Sequence, residues 1–116
     1  MVIESRNTID KMHWTEKRRL RQTYQVFIRQ QMSHHKIDEA TEKQVFSLVI
    51  TTFRKRKIRD HDNLIGGAKQ LIDALVNENF IWDDSDKFLS ELTITQDKPD
   101  SWVRAEDDEY TIISRL

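Results

Sequence analysis

Five cations, Arg54, Lys55, Arg56, Lys57 and Arg59, run directly into two carboxylates, Asp60 and Asp62. Lys69 follows, and a second acidic pair, Asp83-Asp84, lies beyond it. Clustered cations hold a phosphate backbone, and neighbouring oxygen ligands hold a hard divalent ion. This order of residues therefore fits metal-assisted hydrolysis of a phosphodiester. On extended backbone Asp60 and Asp62 point the same way and His61 points opposite. Two such carboxylates repel and tend to stay protonated unless a cation lies between them. Mg²⁺ meets that need, since it takes one or two carboxylates together with waters and phosphate oxygens. The competing reading makes Asp62 or Asn63 a helix N-cap and Asp60 a loop residue, and a D-x-D taken alone carries little weight against it.

The elements that must position these groups are bounded by the totals. A chain of 116 residues is most simply one domain, spanning 1–116, with enough length for its own core. Charged residues make up 34%, above the usual figure of about 25%. With 2 glycines and 1 proline the composition is not that of a disordered chain. No cysteine is present, which excludes a disulfide scaffold and thiolate metal sites. Apolar runs are short, so no membrane span is expected. The first ten residues lack an apolar core of the signal-peptide kind, and the expected location is the cytoplasm. The net charge of −1 hides an asymmetry: residues 1–69 hold 15 Lys and Arg against 8 Asp and Glu, and the remainder holds 4 against 12. Local fields steer a polyanion, so the basic first part suits DNA despite the near-neutral total.

Along the chain, Val2, Ile3 and Ile9 can supply one edge strand. A helix then starts with Thr15 as N-cap and Glu16 in its first turn, and runs to about Met32. Leu20, Tyr24, Phe27 and Ile28 form its apolar stripe. Lys17, Arg18, Arg21 and Arg29 lie largely off that stripe. The first three are candidates to extend a DNA-binding surface, whereas Arg29 reads as a solvated residue. Ser33–Thr41 reads as a connection in which His34 and His35 are surface residues. Apolar side chains on both faces of VFSLVITTF predict a central strand, with Phe46, Leu48, Ile50 and Thr52 on one face.

Leu64–Val76 has helical spacing, with Ala68, Leu71, Ile72, Leu75 and Val76 buried. Gly66 and Gly67 predict a turn before that helix or a close backbone approach to a ligand. Lys69 at a helix start calls for a negative group to offset it. Trp82 anchors a turn before Asp83-Asp84. Phe88, Ser90, Leu92 and Ile94 alternate with Lys87, Leu89, Glu91 and Thr93 as a half-buried strand stopped by Pro99. After Asp100–Glu109, Tyr110–Ile113 can pair antiparallel. The expected architecture is α+β: a small mixed sheet packed with two main helices.

The run RDHDN…K…IDAL…WDDS resembles the RusA family of Holliday junction resolvases, including its phage-borne members. The resembling residues are Asp60, Asp62, Asn63 and Leu64, then Lys69, then Asp73-Ala74-Leu75, then Asp83-Asp84. NTIDKMHWTEKRRLRQ is similar to the N-terminal segment of phage-type members. The resemblance covers roughly residues 7–97, with a few extra residues between Asp62 and Lys69. It implies a homodimer that makes paired nicks in branched DNA, the four-way junction, with Mg²⁺ as cofactor and Mn²⁺ as substitute. It further implies Asp60, Asp62 and Asp84 as metal-binding carboxylates and Lys69 as the catalytic lysine. Asp83 is then the turn residue that aims Asp84 or an outer partner of the site, and Asp73 is structural. The other class of answer is a non-catalytic branched-DNA-binding module derived from a resolvase.

Overall fold

The computed structural model describes residues 2–98 and 109–116. At its centre is β1 (Phe46–Phe53), paired in parallel with β2 (Leu89–Asp97) and antiparallel with β3 (Tyr110–Arg115). The sheet is mixed and β1 is central, as its two-sided apolar pattern predicts. Phe46, Leu48, Ile50 and Thr52 are buried, while Ser47, Val49, Thr51 and Phe53 are half-buried. Helices therefore cover one face, and the other face carries exposed Glu91, Thr93, Thr95 and Ile112.

The covering layer comes from α1 (Arg6–Asp10), α2 (Trp14–His34), α3 (His61–Gly67) and α4 (Lys69–Asn77). The two long helices, α2 and α4, pack on each other. Tyr24, Ile28 and Met32 from α2 join Leu71, Ile72 and Leu75 from α4 and Leu48 and Ile50 from β1 in one core. Leu48, Ile50 and Leu71 are fully buried. Each such side chain contributes about 1.5–3 kcal/mol relative to exposure. This is an α+β fold with a three-stranded mixed sheet and two main helices. No helix among the described residues is long and apolar enough to cross a membrane.

Several elements differ from expectation. Val2, Ile3 and Ile9 form no strand. Ser5 accepts a hydrogen bond from the Thr8 N–H at 3.2 Å and caps α1, which leaves Ile9 buried on a helix. The α2 cap is His13 rather than Thr15, because the imidazole Nδ1 accepts the Thr15 N–H at 3.4 Å, and the helix continues through His34. The single helix expected over Leu64–Val76 is two, α3 and α4, meeting at Ala68. Leu89 is buried rather than outward. The pairing register shifts between Phe46 and Ser47, so Ser90 is bulged and Leu89 turns to the inner face. Pro99 and residues 100–108 lie outside the described residues.

Neither long helix has a glycine to end it. Lys36 and Asn79 adopt positive φ of 53° and 58° just past α2 and α4, and asparagine is the better suited of the two to that region. The Ile37 N–H returns to the Met32 carbonyl at 2.8 Å, and the Phe80 N–H to the Leu75 carbonyl at 2.9 Å.

The N-terminal segment is laid against this frame by long-range contacts. The Ile3 N–H donates to Thr52 Oγ1 at 3.3 Å, the Tyr24 hydroxyl donates to the Val2 carbonyl at 3.3 Å, and the Arg54 guanidinium donates to the Ile3 carbonyl. Burial, with Glu4 beside it, pushes the Tyr24 hydroxyl up to about 12. Gly67 makes this docking possible. A Cβ there would stand 1.9 Å from the Glu4 carbonyl oxygen, so only glycine admits the backbone of Glu4 so close. The two glycines thus sit at the end of α3, not in a turn before a helix, and what they admit is the protein's own N-terminal segment: the Arg6 side chain at Gly66 and the Glu4 backbone at Gly67.

Candidate active site at the start of helix α4

Lys69 is the first residue of α4. Its Nζ lies 3.0 Å from Asp73 Oδ1, one helical turn on, and 3.1 Å from Asp84 Oδ2. These are the negative groups that a lysine at a helix N-terminus calls for, since the unpaired N–H groups there already carry positive potential. Hydrogen bonds to Asp73 and Asp84 hold the Lys69 amine above the ordinary lysine range. The bond from Lys69 holds the Asp84 carboxyl below its ordinary range. At neutral pH the pair is thus an ammonium and a carboxylate. Asp83 Oδ1 accepts the Asp84 N–H at 2.9 Å, which fixes the backbone of the turn that carries Asp84.

Asp60 and Asp62 sit at the start of α3. Asp60 Oδ1 accepts the Asp62 N–H at 3.0 Å and forms the N-cap, with Asp62 in the first turn. The cap therefore falls on Asp60 itself, two residues before Asp62 and three before Asn63. Both carboxylates are exposed. They are hard oxygen donors of the kind Mg²⁺ takes, and one or two carboxylates suffice for that ion. Among the described residues, no three His, Cys, Asp or Glu side chains form a group that could hold a metal ion.

The basic run separates into two parts. Arg54 is half-buried and committed to backbone: its Nε donates to the Arg56 carbonyl at 3.1 Å and its Nη1 to Ile3. Lys55, Arg56, Lys57 and Arg59 are exposed on the loop between β1 and α3. That loop is pinned at Ile58, which is buried and exchanges two hydrogen bonds with the Gln96 side chain at 2.9 and 2.6 Å. Lys17, Arg18 and Arg21 lie in the first half of α2; Arg18 is exposed and the other two are half-buried. Arg29 is not simply solvated. It pairs with Glu78, Nε to Oε1 at 2.7 Å, and links α2 to the end of α4.

A cleft of about 480 Å³ opens beside Lys69 and Asp84. Ile65 and Gly66 of α3, Ile72 of α4 and Leu89, Leu92 and Ile94 of β2 line it, and Arg6 completes the lining. Ile65 and Leu92 are exposed apolar residues. Sequence reasoning missed Arg6, whose only signal is its place one residue after a serine cap. It also missed the exposed Leu92, which alternation assigns to the core. No protein-family model, no curated protein and no solved structure matches the chain.

Proposed function

We propose that this protein is a Mg²⁺-dependent endonuclease that cuts branched DNA, resolving four-way junctions by paired nicks. The observation that carries the reading is Lys69. Its ammonium is held by two carboxylates, remains 60% exposed, and stands at a cleft lined by Ile65 and Gly66 of α3, the helix whose opposite end bears Asp60 and Asp62. An ammonium has three donors. Asp73 and Asp84 use two, so a third remains for a phosphate oxygen. Asp73 positions the amine, and Lys69 supplies positive charge where it develops on the scissile phosphate. Asp60 and Asp62 are the carboxylates that would hold the metal, one or two being enough for Mg²⁺. Asp84, which the resemblance also implies as a ligand, is not grouped with them and pairs with Lys69. Mg²⁺, when bound, supplies Lewis-acid stabilisation and a water of lowered pKa. The exposed Lys55, Arg56, Lys57 and Arg59 hold the flanking backbone, contacts that weaken steeply with salt. Two symmetric nicks are most simply made by a two-fold pair of sites, so a homodimer belongs to this reading.

One observation favours a second reading, a non-catalytic branched-DNA-binding module: the Asp60 carboxylate already serves as the cap of α3. Cleavage of a labelled four-way junction beside linear duplex, with Mg²⁺ or EDTA, separates the two. Metal-dependent paired nicks on the junction, lost in Asp62→Asn while binding persists, are expected of the nuclease. Tight junction binding with no nicking under any metal condition leaves the binding module.

A further inference from the structure

We infer that Arg6 is a phosphate-binding residue of the Lys69 cleft, delivered by α1 and held in place by Gly66. The inference rests on the reading of that cleft as a DNA site. Arg6 lines the same cleft as Lys69 and Asp84 but belongs to a different element, carried there by the docked N-terminal segment. The two cations differ in how firmly they are committed. Lys69 is held by carboxylates at 3.0 and 3.1 Å. Arg6 has Asp10 at 3.7 Å, one helical turn on, with both side chains about three-fifths exposed at 59% and 62%. That separation is beyond hydrogen-bond length, and an exposed pair of this kind holds weakly. A phosphate entering the cleft competes easily for Arg6. Its planar fork can grip two oxygens at once, which the lysine ammonium cannot.

Gly66 fixes where that fork stands. A Cβ at position 66 would lie 2.5 Å from Arg6 Cδ and 2.9 Å from Cγ, so the arginine stem rests flat on the glycine. The contact is with a flexible side chain and not with backbone, so an added methyl displaces Arg6 and leaves the fold standing. Exposed Ile65 and Leu92 give the cleft apolar walls against which a deoxyribose or base edge can lie while Arg6 and Lys69 face the phosphate.

The test is the salt dependence of four-way junction binding in EDTA, with junction cleavage in Mg²⁺ measured alongside. Arg6→Gln should weaken binding and reduce the slope of log K against log salt by about 0.9, the loss of one phosphate contact. Gly66→Ala, which keeps the arginine charge, should lower the slope in the same direction, with Arg6→Lys retaining part of it. Arg19→Gln, an exposed change of equal charge on α2, should leave the slope as it is. Equal slopes in the wild type and Arg6→Gln, or an equal drop in Arg19→Gln, would overturn the inference. A wild type that cleaves the junction with Arg6→Gln unchanged leaves the nuclease reading standing without Arg6. A wild type that binds but never cleaves, with the slope lost in Arg6→Gln, retains the Arg6 contact and rejects the nuclease. Absence of junction binding in the wild type rejects both.

Discussion

At the C-terminal end of α4, Glu78 accepts from Arg29 Nε at 2.7 Å and Nη2 at 3.2 Å, and from Gln25 Nε2 at 3.2 Å. At the N-terminal end, Lys69 donates to Asp73 at 3.0 Å and Asp84 at 3.1 Å. Both clusters join α4 to a neighbouring segment by charge-assisted hydrogen bonds of similar length. They differ in access. The Glu78 side chain is 12% exposed and sits between two helices, whereas Lys69 is 60% exposed beside an open cleft. Glu78 accepts three bonds from one helix and has little left to offer a ligand. Lys69 keeps a donor and faces solvent. An ion pair at a helix end therefore says little about function until its spare hydrogen-bonding capacity and its exposure are known.

If that distinction is real, substitutions at the open end should alter DNA chemistry and spare stability, and those at the closed end should do the reverse. The largest effect is expected at Lys69→Gln. Loss of a cation placed at the scissile phosphate should slow junction cleavage by about 10²–10³-fold, equivalent to about 3–4 kcal/mol, with an unfolding midpoint near that of the wild type. A variant with full activity, or one that unfolds early, would erase the contrast. Gly67→Ala comes next. Its methyl meets the Glu4 carbonyl, so denaturant unfolding should show a loss of about 2–3 kcal/mol as the N-terminal segment is pushed away. Gly66→Ala, which meets only the Arg6 stem, should be far milder in the same titration.

A smaller effect belongs to Glu78. The bond from Arg29 lowers its carboxyl in the folded state. Its contribution is therefore complete above the unfolded value of about 4.3 and is lost as pH falls through the lower folded value. Urea midpoints measured from neutral to acid pH should fall less steeply in Glu78→Gln than in the wild type. The smallest is the alkaline counterpart at Lys69. Its raised folded value means that stability is complete below about 10.4 and declines as pH rises through the folded value. The exposure of the pair keeps this limb shallow, and Lys69→Gln should flatten it.

Much of the fold is legible in the sequence because its signals are periodic. The apolar stripe of α2, apart from the exposed Phe27, the two-sided pattern of β1 and the helical spacing from Ala68 to Leu75, with Val76 half-buried, each need only local geometry to read. The demand that Lys69 be offset is likewise local, and Asp73 meets it one turn away. The illegible parts depend on partners distant in sequence. The Val2–Ile9 pattern is compatible with a strand until Ser5 is seen capping Thr8. Leu89 reads as outward because a bulge at Ser90 leaves no mark in an alternating pattern. Gly66 and Gly67 announce a close approach, but nothing local says that Arg6 and Glu4 are what approach.

Sequence alone determined an α+β chain with a basic run feeding a pair of carboxylates, and a lysine at a helix start that requires anions. Those are consequences of periodicity, composition and the helix dipole, all properties of short segments. Only the tertiary structure decided which anion beyond Asp73 meets Lys69, which cation joins it, and that Arg54 holds backbone while its neighbours face solvent. These follow from long-range packing, of α4 against the turn that carries Asp84 and of the N-terminal segment against β1 and α3, because exposure and spare hydrogen bonds exist only once distant elements have packed.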